Sequence, residues 1–468
     1  MIEAIDFATD APALLVEGRA QIVSYRALGR RVDRTRELLR SLPRPALIFL
    51  FAGNSVAGVS AYLACLAERI PLGLGEPAVA ARNRVIAAYQ PTAVLVPEAE
   101  TGLPEGYELA ASVPDGGLAL WRRADREPLP VSPHADLALL LSTSGSTGDA
   151  KCVRLSPANL AANARSIADY QALHPGELAV QSLPLHYSYG LSILNSHLVV
   201  GGAVMLTAHS FMRPEFWRAV DEAGCTSFAG VPYMYETLLR LRMKPTERPS
   251  LRTLTQAGGH LRVETVRHFH EAASARRARL FVMYGQTEAT ARIAYVPPER
   301  LTEKAGTVGI AIPRGELWLE PVDGDPNMRQ VMYRGPNVML GYASGAADLG
   351  RGDELGGMLA TGDLGESDAE GYIRLTGRLA RFAKLFGKRI NLTSVEVEVE
   401  TRFPVRIIAM DGPEQLKIHL EGADDDTATR IRSHLAEWLG VPPLTFKVER
   451  LAQLPLTASG KKDYKALR

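Results

Sequence analysis

The chain has 468 residues, 46% of them hydrophobic and 22% charged, with 53 Lys+Arg against 52 Asp+Glu for a net charge of +1. That balance gives no electrostatic footprint for nucleic acid or an anionic membrane, and the length suggests about three structural units. Cys65, Cys152 and Cys225 are too few and too scattered for a disulfide framework or structural zinc, which fits a reducing cytoplasm. The acidic N-terminus has no signal-peptide pattern, and the apolar stretches are too short to span a bilayer.

In chain order, Tyr25 to Leu42 sets Leu28, Val32, Leu38 and Leu39 among arginines, the pattern of a surface helix. Ala46 to Phe51 reads as a strand, Val56 to Leu66 as a helix and Ala93 to Val96 as a buried strand. Beyond residue 175 the alternation resumes, with Val199 to Leu206 as strand, Arg213 to Ala223 as helix and Leu280 to Tyr284 as strand. Such alternation predicts an α/β fold with largely parallel sheets. From about Gly306 the segments become short and turn-punctuated, which predicts a small β-rich unit. The last ninety or so residues read as a compact α+β module, with Thr427 to Leu439 as its clearest helix.

The strongest local signal runs from the apolar Leu139-Leu140-Leu141 into Ser142-Thr143-Ser144-Gly145-Ser146-Thr147-Gly148-Asp149-Ala150-Lys151. Glycines let backbone N–H groups turn toward an anion, hydroxyls add donors and the lysine adds a charge. Alone, a Ser/Gly run is a surface loop; the leading strand and closing lysine favour phosphate binding. The spacing is not that of a Walker loop, in which lysine directly follows the second glycine.

This segment resembles the phosphate loop of the adenylate-forming superfamily, which includes acyl- and aryl-CoA synthetases, carrier-protein adenylation domains and luciferases. Further matches follow in the family's order, from Ser24-Tyr25 to Lys461. The resemblance assigns nucleotide contacts to Ser144, Gly145, Ser146, Thr147 and Gly148, and a catalytic role to Lys151 with Thr287, Glu288 and Lys461. Gln256-Ala257-Gly258-Gly259 is similar to the adenine-side turn, and Tyr284-Gly285-Gln286-Thr287-Glu288 to the segment in which the Tyr stacks on adenine, the Thr contacts the α-phosphate and the Glu holds Mg²⁺. Gly335 to Tyr342 matches a signature of mostly structural role. In Thr361-Gly362-Asp363, Asp363 would accept both ribose hydroxyls, with Arg378 nearby, and Leu454 to Lys461 matches the loop of the catalytic lysine. The resemblance also places the substrate pocket around Tyr187, Gly258 and His260.

The fold so implied is a large N-terminal multi-layer α/β domain over residues 1–377, with a small β-barrel subdomain over 306–377. A small mobile α+β lid over 378–468 would carry Lys461. The activity implied is attack of an acid on MgATP to give an adenylate and pyrophosphate, then transfer to CoA or to the phosphopantetheine of a carrier protein. Pro184 to Gly190 lacks the Asp of amino-acid-activating relatives, so an acyl or aryl acid is expected; His186 reads as packed. Ala380 stands where relatives carry the Asp or Lys hinge, which leaves capture of the adenylate by an amine, or activation of a small anion such as nitrite, as the alternative. Gly387 matches the glycine that admits a pantetheine arm, and Cys152 reads as a small buried side chain.

Overall fold

The structure is a computed structural model that describes residues 1–100, 106–142, 150–322, 325–379, 381–385, 388–412, 415–457 and 460–467. Two large sheets dominate it. One is nine-stranded, and its centre is parallel: Arg279–Tyr284, Thr253–Gln256, Ser227–Gly230, Leu178–Gln181, Ala203–Leu206 and Pro12–Val16 lie side by side in that order. The other is eight-stranded, with a parallel centre of Leu139–Ser142, Leu72–Leu74, Ile48–Leu50 and Ala93–Pro97. Central strands of both sheets are buried on both faces, as parallel strands covered by helices must be.

Local chemistry sets the helix boundaries. Ser24 caps the helix Tyr25–Arg40 by accepting from the Ala27 N–H, and Tyr25, Leu28, Val32 and Leu39 form its buried face. Ser156 and Asn159 close a capping box on the helix Pro157–Gln171. The helices Val56–Ala67, Pro214–Ala223 and Asp425–Leu439 lie where the sequence pattern puts them. One expectation fails in part: the strand predicted over Val199 to Leu206 begins only at Ala203. Val199 caps the helix Ser188–Leu198, and Gly201, at φ +74°, turns the chain toward the strand. An apolar run that joins a buried helix end to a buried strand has one texture throughout, so periodicity does not find the joint.

The β-rich unit, expected as a barrel, is among the described strands a four-stranded antiparallel sheet in linear order: Glu316–Val322, Asp325–Arg334, Met358–Ser367 and Ile373–Arg378. Beyond it, Arg406–Met410, Leu416–Glu421 and Phe446–Leu451 form a three-stranded sheet that shares a core with the helices Leu392–Arg402 and Asp425–Leu439. Among the described residues no helix is long and apolar enough to cross a membrane.

Arg154, fully buried on the strand Cys152–Leu155, ties the chain near the Gly335 to Tyr342 signature to the eight-stranded sheet. It pairs with Glu354 at 2.7 Å and donates to the carbonyls of Tyr342, Leu340 and Gly352 at 3.1, 3.3 and 3.2 Å, and to that of Arg351. Arg154→Met keeps most of the stem but strands these acceptors. It is expected to cost about 3 kcal/mol in urea unfolding; a loss below about 1 kcal/mol would show that the clamp is dispensable.

Candidate active site

Several of the described residues singled out in the sequence lie at the carboxyl ends of the parallel strands of the nine-stranded sheet, where open α/β folds bind ligands. Strand Thr253–Gln256 runs into Gly258, strand Ser227–Gly230 into Val231, and strand Arg279–Tyr284 into Gly285 and the short 3₁₀ turn Thr287–Ala289. Gly285 is required by close approach: a Cβ there would sit 1.8 Å from the Ala291 carbonyl oxygen and 2.9 Å from the Arg292 Cα. The chain therefore folds straight back after Glu288.

That return is strained. Thr290 has φ +63° and ψ −55°, and the Ala291 N–H reaches the Ala289 carbonyl at 2.6 Å. This is a γ-turn of the rare positive-φ kind, which persists only where its surroundings enforce it. The enforcing residue is Asn337, 1% exposed, in the middle of the Gly335 to Tyr342 signature. Its Nδ2 donates to the carbonyls of Ala289 and Arg292, both at 2.8 Å, its Oδ1 accepts from the Tyr333 hydroxyl at 2.8 Å, and its carbonyl accepts from the Thr290 hydroxyl at 2.7 Å.

Asp363 sits 6% exposed beneath this loop. Its Oδ1 accepts from Arg378 Nε at 2.6 Å, and its Oδ2 from the Tyr284 hydroxyl at 2.5 Å and Gln286 Nε2 at 2.7 Å. Three donors on a carboxylate with about four lone-pair sites leave little spare capacity. Burial, reinforced by Asp363, pushes the Tyr284 phenol far above its usual value, so it stays a donor. Asp363 likewise holds the Arg378 guanidinium above its usual value. The Tyr284 ring packs with Ala289, Ile293, Tyr333 and Val338 and is 8% exposed, so only a small part of it is left to meet a ligand.

Next to this cluster, the Tyr342 hydroxyl donates to Glu288 Oε1 at 2.8 Å, and Lys151 Nζ lies 3.5 Å from the centroid of the Tyr342 ring. Thr287 Oγ1 is 3.3 Å from Ser188 Oγ at the head of the helix Ser188–Leu198. Tyr187 caps that helix, and Lys461 Nζ lies 5.2 Å from its ring centroid. The Lys461 loop is shaped by hydrogen bonds between Thr457 and Lys461 and by the left-handed Gly460, where a Cβ would come 2.8 Å from Val231 Cγ2. Lys462 anchors it from the other side, 2.9 and 2.8 Å from Glu396 and Glu400. Burial opposes the Lys462 charge, but those two carboxylates outweigh it and raise its pKa.

The structure thus brings together Tyr187, Gly258, Tyr284, Gly285, Thr287, Glu288, Asp363, Arg378, Lys151 and Lys461. Gly259 and His260 are exposed on the adjoining turn. Ser144, Gly145, Ser146, Thr147 and Gly148 lie outside the described residues, as do Ala380 and Gly387. His186 is half-buried, and burial pushes its imidazole down to about 4, so it is uncharged at neutral pH. Cys152 is buried, which pushes its thiol up to about 11 and fits packing rather than nucleophilic attack. The sequence reading missed Gln286, Asn337, Tyr342, Ser188 and Arg292 as parts of the site. Only Arg292 gave a local signal, as a lone cation in the apolar run Ala291-Arg292-Ile293-Ala294.

A sequence model of the family described as AMP-binding enzyme matches residues 3–343. The chain belongs to this family. An oxalate–CoA ligase of Arabidopsis thaliana is 30% identical over 381 residues, spanning 77% of this chain and 72% of that protein. A feruloyl-CoA synthase of an Amycolatopsis species is 28% identical over 469 residues, 94% of this chain and 92% of its own. Among solved structures, o-succinylbenzoate CoA synthetase from Bacillus subtilis with its acyl-adenylate superposes with a TM-score of 0.75 at 20% identity, over 97% of this chain and 94% of that one. ATP-bound MatB from Rhodopseudomonas palustris gives 0.78 at 20%, over 98% and 96%; both bear on the fold. The chain is an AMP-forming ligase that binds ATP and adenylates an acid. Asp363→Ala removes the acceptor on which Tyr284, Gln286 and Arg378 converge. Calorimetric titration is expected to show ATP affinity about 10- to 100-fold weaker; unchanged affinity would remove Asp363 from the nucleotide site.

Proposed function

We propose that the cleft at Tyr187, Thr287, Glu288 and Lys461 activates an acyl or aryl carboxylate and passes it to the thiol of CoA or of a pantetheine-bearing carrier. The observation that carries this reading is the convergence of a lysine without an ion-pair partner among the described residues, Lys461, with the hydroxyl of Thr287 at one helix terminus, Glu288 following Thr287 directly. A carboxylate oxygen attacks the α-phosphorus as the bond to the β-phosphate breaks, giving an acyl-adenylate and pyrophosphate. Both reactants are anions, so cations fixed in advance lower the barrier. Lys461 would bridge the acid and the α-phosphate, Thr287 would donate to the α-phosphate, and Asp363 would orient the ribose. Taking both ribose hydroxyls requires one present donor to yield, and the half-exposed Arg378 is the one with room to swing.

Glu288 and Thr287 offer hard oxygen ligands beside the phosphate site, which suits Mg²⁺ held by one carboxylate and substrate oxygens. When bound there, the ion supplies charge neutralisation on the phosphates. We read the loop Ser142 to Lys151 as the cradle of the β- and γ-phosphates, and residues 378–468 as the lid that delivers Lys461. The named relatives are CoA ligases, which favours a thiol over an amine as acceptor. Attack of the thiol sulfur on the acyl carbon expels AMP and releases the thiol proton. The segment Pro184 to Gly190 contains no acid, which argues against an α-ammonium substrate.

Lys461→Ala is expected to slow acid-dependent pyrophosphate release by about 10²- to 10³-fold, the cost of one preorganised charge-stabilising donor, while ATP binding is retained. Full activity in the variant would place the catalytic cation elsewhere. Acid-dependent AMP release that requires an amine and ignores CoA would reject the thiol acceptor.

A further inference from the structure

Behind Tyr187, between the helix Ser188–Leu198 and the strands Leu178–Gln181, Ser227–Gly230 and Thr253–Gln256, lies a cavity of ≈ 20 Å³. Arg292, Tyr189, Ser192, His197 and Thr255 are among its lining residues. Arg292 is 2% exposed and always charged. Its partners are poor: Nε approaches the Met283 sulfur at 3.4 Å, Nη1 the Ala291 carbonyl at 3.4 Å, and the guanidinium carbon lies 4.1 Å from the Tyr189 ring centroid. The phenol of Tyr170 is a further, neutral neighbour, and no carboxylate pairs with Arg292 among the described residues. The contrast with Arg154, equally buried and paired with Glu354, is direct. A buried guanidinium without a counter-charge is costly, and a planar fork of donors suits a bound carboxylate.

A second lining group is also unsatisfied. His197 is 3% exposed, and its Nδ1 donates to the Ile193 carbonyl at 2.9 Å, which leaves Nε2 as a buried acceptor without a partner. Burial lowers the His197 pKa, so the ring is neutral. An alkyl chain in this cavity would leave both groups unpaired, the situation by which a polar site rejects an apolar ligand.

Tyr189, which lines the cavity, stands edge-on to Tyr187 with ring centroids 6.2 Å apart. Ser188, which meets Thr287, directly precedes Tyr189. Arg292 is four residues past Glu288, with its carbonyl held by Asn337. Strand Thr253–Gln256 leads to Gly258, where a Cβ would fall 2.5 Å from the Tyr187 hydroxyl. An acid whose reacting carboxylate lies by Tyr187 and Lys461 therefore needs only a short chain to put a second group on Arg292.

We infer that Arg292 selects the acid: the substrate is a short acid carrying a second, compact anionic group, which pairs with Arg292 while the first carboxylate is adenylated. This rests on the adenylation reading above. His197 Nε2 then accepts from water or from a hydroxyl that accompanies that group.

The test is acid-dependent ATP–pyrophosphate exchange by the full chain with malonate, succinate and glutarate, against propionate, butyrate and valerate of matched length. At least one diacid is expected to exceed its matched monoacid by 100-fold or more in kcat/KM, and Arg292→Met to erase or reverse that ratio. Arg292→Lys, which keeps charge without the fork, is expected to fall between and covers the case in which the methionine variant does not fold. Monoacids used as well as diacids, or a ratio indifferent to Arg292, would overturn the inference and leave adenylation standing. Exchange with no acid at all, aromatic acids included, would count against adenylation itself. Calorimetry of the three diacids on enzyme loaded with a non-hydrolysable ATP analogue then decides: binding lost in Arg292→Met supports the anion site, and absence of binding overturns it.

Discussion

The amide of Asn337 joins two pieces of chain that carry different parts of the chemistry. It holds the carbonyls of Ala289 and Arg292 through one nitrogen, and its backbone holds the Thr290 hydroxyl. Without those bonds the positive-φ turn at Thr290 has nothing to keep it in a conformation that costs of order 1–3 kcal/mol. With them, the chain reverses within four residues. Glu288 then faces Tyr342 and Lys151 at one end of the reversal, and Arg292 enters the interior of the sheet at the other. The Gly335 to Tyr342 signature is structural in this sense: it sets the distance between Glu288 and Arg292.

The electrostatics follow the same division. A carboxylate and a polyphosphate repel, so the proposed reaction requires a cleft that is cationic before they arrive. Lys151 and Lys461 face it without ion-pair partners among the described residues, whereas the neighbouring cations are committed: Lys462 to Glu396 and Glu400, Arg381 to Glu396, Arg406 to Glu236 and Glu421. Lys462 and Lys461 are adjacent in sequence and opposite in duty. One is buried against two carboxylates and fixes the loop. The other has no ion-pair partner among the described residues and lies 5.2 Å from the Tyr187 ring centroid.

The parallel core was legible because central strands and amphipathic helices carry their periods locally, as in Tyr25–Arg40 and Asp425–Leu439. So were the turns that end those strands, since their glycines, hydroxyls and acids are contiguous. What periodicity could not find was of two kinds. Val199 to Gly202 looked like strand because a helix end and a strand buried in one core share the same apolar texture. Asn337, Gln286 and Arg292 were silent because their meaning lies in partners from other elements: Asn337 acts 45 residues back in the chain, and Gln286 acts 77 residues forward. The linear order of the four described strands in the small β unit belongs with these pairings between distant elements, which composition does not encode.

The central claim is that the acid's own oxygen attacks the α-phosphorus in this cleft. It is tested most directly by supplying an acid labelled with ¹⁸O in its carboxylate, together with ATP and a thiol acceptor, and weighing the products. Attack at the α-phosphorus leaves one labelled oxygen in AMP and none in pyrophosphate. Unlabelled AMP, or label recovered in a phosphate released from the other end of the nucleotide, would contradict adenylate formation at this site.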